Sequence, residues 1–176
     1  SGGDDDDDST TDDDDATDDD DDVTGTCDDG VPRRAWDPDA GDDDLRDTAG
    51  DLTFATLDGE FRVRTAWDNG CDNLLFIPHA PSQASDSTVP LWERDVDALI
   101  AALPVNTHVV FASNAASEGD REDKVDALRV LVDQALGSLT AEQREHWQAR
   151  LHFTYTAAAD LPGWLGDTMA DPRFGV

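Results

Sequence analysis

The chain has 176 residues, with 42 acidic side chains against 12 basic ones and a formal charge of −30. Phosphate neutralisation needs clustered Lys and Arg, so nucleic-acid binding through a basic face is excluded. No apolar run approaches the ~18–20 residues of a membrane span, and two Cys are too few for a disulfide-dense mini-protein.

The charge is uneven. Residues 1–44 carry 21 Asp and two Arg, a charge of −19, while residues 45–176 carry 21 acids and ten bases, a charge of −11. This division predicts a disordered Asp-rich tether over 1–44 and one α/β domain over 45–176, a body of about 130 residues and ordinary domain size. In the head, Asp runs alternate with Ser, Thr, Gly and Ala. Such a segment has little to bury and repels itself, so it is expected to stay extended. Two readings of it compete. Carboxylate oxygens suit Ca²⁺, but the runs lack the alternating ligands, central Gly and closing Glu of a calcium loop; a solvated spacer needs none of these. Asp37, Asp39, Asp42 and Asp44 form the best local carboxylate cluster, read either as a Ca²⁺ loop or as linker. No metal site is assigned.

The body alternates strand and helix. Leu52–Leu57, Asp58-Gly59 and Glu60–Thr65 predict a β-hairpin, with Asp-Gly as the turn and Phe61 and Val63 alternating with Arg62 and Arg64. Leu74–Ile77 is a continuous apolar run, expected to be a buried strand ended by Pro78. Trp92, Val96, Leu99, Ile100 and Leu103 fall on one stripe and predict a helix over Leu91–Leu103, capped by Ser87 or Thr88 with Pro90 in its first turn. His108–Ala112 predicts the next buried strand. A second helix is expected from Asp120, with Val125, Leu128, Val132, Ala135 and Leu136 on its inner face and Gly137 as a left-handed stop. Thr140 and Gln143 form a capping box for a third helix that carries Trp147. A strand over Leu151–Thr156 and a short helix over Leu161–Ala170 close the series. Strands separated by helices should be parallel, with helices on both faces of the sheet.

The stretch LTFATLDGEFRVRTAWDNGCDNLLFIPHAP resembles the extracytoplasmic thioredoxin-like and peroxiredoxin-like superfamily. In that superfamily a Leu-Asp-Gly hairpin leads into a buried strand, then the redox loop, then a long helix. Leu57-Asp58-Gly59 matches the turn, Leu74–Ile77 matches the strand, and Arg173-Phe174-Gly175-Val176 looks like the segment just before the family's cis-proline. The resemblance implies a thioredoxin-like βαβαβ layered domain that stops before its final hairpin and helix. It also implies a Cys-x-x-Cys after the buried strand, where a helix N-terminus stabilises the thiolate. Here that region reads PHAPSQASDSTVPLWERD, without cysteine, so the usual redox chemistry has no nucleophile.

The thiols are Cys27 and Cys71. They are read either as a structural disulfide closing a 44-residue loop, favoured in an oxidising compartment, or as two independent thiols. His79, Ser82 and Asp86 offer the residue types of a nucleophilic set, although nothing in their spacing demands one. His108 and His152 sit on predicted neighbouring strands and could share a metal, but no third ligand stands at metal-site spacing. Trp67, Trp92, Trp147 and Trp164 lie at element ends and are expected to pack. No catalytic and no cofactor-binding residue is assigned.

The first expected function is a non-catalytic thioredoxin-like interaction or scaffold domain of an exported bacterial protein, located periplasmically, at the cell surface or outside. Its partner would be an unknown protein or other domains of the same chain. The second is an accessory domain of a secreted hydrolase, because an acidic tether, a Cys and a redox-dead thioredoxin-like unit look like the front of proteins related to peptide-N-glycosidase F. The third is an atypical thiol-disulfide oxidoreductase that uses Cys27 and Cys71.

Overall fold

The computed structural model describes residues 25–27, 30–37, 50–67, 70–79 and 89–170. Most of the expected tether lies outside these residues.

β1 (Thr53–Thr56) and β2 (Gly59–Arg62) form the antiparallel hairpin, with Thr56 opposite Gly59. The two-residue turn is therefore Leu57-Asp58, one residue earlier than Asp58-Gly59. Gly59 closes it at φ +126°, a conformation that glycine adopts without Cβ strain. β2 stops at Arg62, short of the expected Thr65. The Asp51 carboxylate accepts from Arg62 Nε at 2.7 Å and from the Arg64 backbone N–H at 3.1 Å. The chain there bends into a short helix, α1 (Val63–Trp67).

β3 (Asn73–His79), β4 (Thr107–Ser113) and β5 (Leu151–Thr154) form one parallel sheet in the order β3-β4-β5. β3 runs through Pro78 instead of ending there. The His79 carbonyl accepts from the Asn114 N–H at 2.8 Å. By strand alternation, the donor that Pro78 lacks would point away from β4, so no ladder bond is lost. β5 ends at Thr154, two residues before the expected Thr156.

The helix expected over Leu91–Leu103 is broken into α2 (Val89–Glu93) and α3 (Val96–Ala102). The N–H groups of Arg94 and Asp95 both reach the Pro90 carbonyl, at 3.0 and 2.9 Å, and the ladder restarts from Asp95. The stripe survives the break, with Trp92, Val96 and Ile100 all buried. Pro90 lies in the first turn as expected, while Ser87 and Thr88 lie outside the described residues.

α4 (Glu118–Gly137) begins at Ser117, whose Oγ accepts from the Asp120 N–H at 3.1 Å. Gly137 is not among the positive-φ glycines of the described residues, so it does not stop the helix in the expected way. Arg144 caps that end: Nε donates to the Leu136 carbonyl at 3.2 Å, and Nη2 reaches the carbonyls of Gly137 and Leu139 at 3.4 Å. Arg144 belongs to α5 (Ala141–Gln148), which starts on the expected Thr140–Gln143 capping box. A 3₁₀ turn (Ala158–Asp160) leads to the last helix, α6 (Gly163–Ala170).

β4 supplies both cores, because successive side chains point to opposite faces. Val109 and Phe111 meet Trp92, Val96, Ile100, Val125, Leu128, Val132 and Leu136. Val110 and Ala112 meet Phe54, Phe61, Val63, Leu161, Leu165 and Met169. The result is a mixed α/β layout with helices on both faces of the parallel sheet. The hairpin lies over the second face, and its turn is pinned to β5 by the Leu57 N–H on the Phe153 carbonyl at 2.8 Å.

Candidate functional site: a cleft at the amino ends of the strands

Cys27 and Cys71 form a disulfide with Cα atoms 5.5 Å apart. The strap that carries Cys27 folds on itself: the Cys27 N–H bonds the Val31 carbonyl at 2.8 Å and the Arg33 N–H bonds the Gly25 carbonyl at 3.1 Å. The strap then docks on the body. Trp36 meets Trp67 edge-on at 5.9 Å, the Arg34 N–H donates to the Gly70 carbonyl at 3.3 Å, and Trp67 Nε1 donates to the Arg34 carbonyl at 3.4 Å. Gly70 has φ +67°, and a Cβ there would collide with the Arg34 backbone. Residues 30–37, which the charge boundary puts in the head, are thus held against the domain.

The bridge stands beside a cleft of about 540 Å³ whose lining includes Phe61, Arg62, Asp72, His108, Arg150 and His152. His108 and His152 are each the second residue of their strand, and the pairing of Val110 with His152 sets them diagonally across the β4–β5 ladder. His108 Nδ1 and His152 Nε2 lie 3.0 Å apart. The rings are within 8° of parallel, with centroids 5.3 Å apart. That separation equals the nitrogen gap plus one ring radius on each side. The two nitrogens therefore lie on the line between the centroids, and the rings are coplanar and head-on, not face to face. One proton fits between them, so one ring donates and the other accepts.

Phe61, on β2, covers the pair, 4.5 Å from the His152 ring and 6.3 Å from His108. Burial pushes both imidazoles down. His152 falls from 6.5 to about 4, through burial first and the neighbouring His108 second, with Asp58 opposing. His108 is lowered by burial, then by the Arg150 charge, with Asp72 opposing. Arg150 stands 3.9 Å from Asp72, and its buried Nε has no hydrogen-bond partner among the described residues.

The other residues singled out in the sequence do not converge. His79 lies inside β3, buried, with its ring 5.1 Å from Trp92 and its Nδ1 3.5 Å from Ser113 Oγ. Ser113 Oγ already accepts from the Ala115 N–H at 3.1 Å. Ser82 and Asp86 lie outside the described residues, as do Asp39, Asp42 and Asp44, while Asp37 is exposed. Trp92 and Trp147 are buried in the first core, and Trp164 stands edge-on to Phe76 at 6.2 Å. Among the described residues, no three of His, Cys, Asp and Glu come together as metal ligands, and no helix is long and apolar enough to cross a membrane.

The sequence singles out the two histidines of the cleft but not Phe61, Arg62, Asp72 or Arg150 as their neighbours. The only local signal was the position of Phe61 on the inward face of the hairpin and of Arg150 just before a strand. No protein-family model matches the chain, and neither a curated protein nor a solved structure does.

Proposed function

We propose that this is a non-catalytic domain of thioredoxin-like type that serves as an interaction or scaffold module of an exported protein, with the acidic head as its spacer. The observation that carries this reading is the Cys27–Cys71 bridge. It uses both cysteines of the chain and leaves no free thiol. It also stands before β3, whereas thiol chemistry of the thioredoxin type belongs after that strand, where the sequence from Ala80 to Val89 holds no cysteine. A bridge that clamps a strap to the body has a mechanical use, and it suits an oxidising compartment. The Leu-Asp-Gly hairpin and the parallel β3-β4-β5 sheet support the fold part of the reading.

An insulin-reduction assay with dithiothreitol as electron donor tests it. The expected result is no turnover above the uncatalysed rate. Turnover that disappears in Cys71→Ser overturns the proposal and supports disulfide exchange by Cys27 and Cys71.

A further inference from the structure

We propose that the His108–His152 pair is a binding site for a soft monovalent d¹⁰ cation, copper(I) or silver(I), held between two collinear imidazole nitrogens. This inference does not rest on the thioredoxin-like reading. Geometry is diagnostic of the metal a site prefers. Zinc in a structural site asks for four ligands in a tetrahedron and calcium for six or more oxygens, and the described residues bring together no three such ligands. They do bring together two nitrogens with lone-pair directions on one line, 3.0 Å apart. Closed-shell d¹⁰ monocations take that linear two-coordinate arrangement. With metal–nitrogen bonds of ~2 Å, the nitrogens must separate by about 1 Å, a motion that side-chain rotation at the cleft can supply.

The protons balance. In the neutral pair, one hydrogen lies between the rings and one sits on an outer nitrogen, His108 Nε2 or His152 Nδ1. When the cation takes both inner nitrogens, the shared hydrogen moves to the free outer nitrogen, and none is released. The surroundings add selectivity. Both cysteines are in the bridge, and the single methionine, Met169, is buried. The chain therefore offers no thiol and no exposed thioether to compete for a soft ion. His146 Nε2 is already 2.7 Å from the Val105 carbonyl. The Asp-rich head carries hard oxygens, which suit calcium or magnesium and not a soft monocation. The charge of −30 raises the local concentration of any cation, and Asp72 in the cleft offsets part of the Arg150 charge.

Silver(I) is the probe, because it needs no reductant and the bridge stays closed. Silver nitrate is titrated into the whole chain in chloride-free buffer, followed by calorimetry and by the imidazole nitrogen resonances. The expected result is one tight equivalent, with His108 Nδ1 and His152 Nε2 shifting together. Affinity should fall by more than about tenfold in both His108→Gln and His152→Gln, and stay unchanged in His146→Gln. A native near-ultraviolet circular dichroism spectrum certifies the fold of each variant. Silver that leaves those two resonances in place overturns the proposal even if a variant fails to fold. So does wild-type affinity in a folded His108→Gln or His152→Gln variant.

Discussion

At the scale of single residues, the histidine pair ties stability to pH. The His152 imidazole has a pKa of about 4 in the folded protein against 6.5 in the open chain. Between these values the unfolded chain binds a proton that the folded chain refuses, so stability rises with pH there. The contribution is complete above about pH 6.5 and is lost as the pH falls towards 4. His108 is displaced in the same direction. Protonating both rings also replaces an N–H···N bond with two facing N–H groups. The wild-type melting temperature should therefore fall between pH 7 and pH 4 more steeply than that of His152→Gln, as followed by circular dichroism; equal slopes would reject the assignment. The sequence puts both histidines on strands, but 44 residues separate them. Only the β4–β5 register aims one ring at the other.

At the scale of elements, what was legible was local. The Thr140–Gln143 capping box needs residues three apart and formed as expected. Thr140→Ala removes the Oγ that accepts from the Gln143 N–H and should cost about 1 kcal/mol. Urea denaturation should show a lower midpoint with an unchanged slope. What was not legible was caused at a distance. β2 ends early because Asp51 bonds the Arg64 N–H from 13 residues away. α4 ends under a guanidinium from the next helix, not on its own Gly137. The break between α2 and α3 leaves the apolar stripe intact, so hydrophobic periodicity cannot reveal it.

At the scale of the whole molecule, the bridge decides how much of the acidic head belongs to the folded body. Its 44-residue loop is worth ~3–4 kcal/mol in the chain-entropy model. Thermal melts with and without dithiothreitol should therefore differ, and the Cys27→Ser, Cys71→Ser double variant should melt with the reduced wild type. Identical melts in all three states would show that the strap holds without its bridge. Reduction should also alter the tryptophan fluorescence, because Trp36 and Trp67 meet where the strap docks.

Taken alone, the sequence determined the α/β class, the parallel strands and the inner faces of the helices. These depend on period and composition, which are properties of neighbouring residues. It also restricted the thiol chemistry to one pair of cysteines. Tertiary structure alone decided that Cys27 and Cys71 meet, that residues 30–37 dock on the body, and that two imidazoles share one proton under Phe61. Each of these is a contact between residues far apart in the chain. Local preferences set which elements form, while sheet register and chain closure set which side chains face each other. The cleft depends on register and closure.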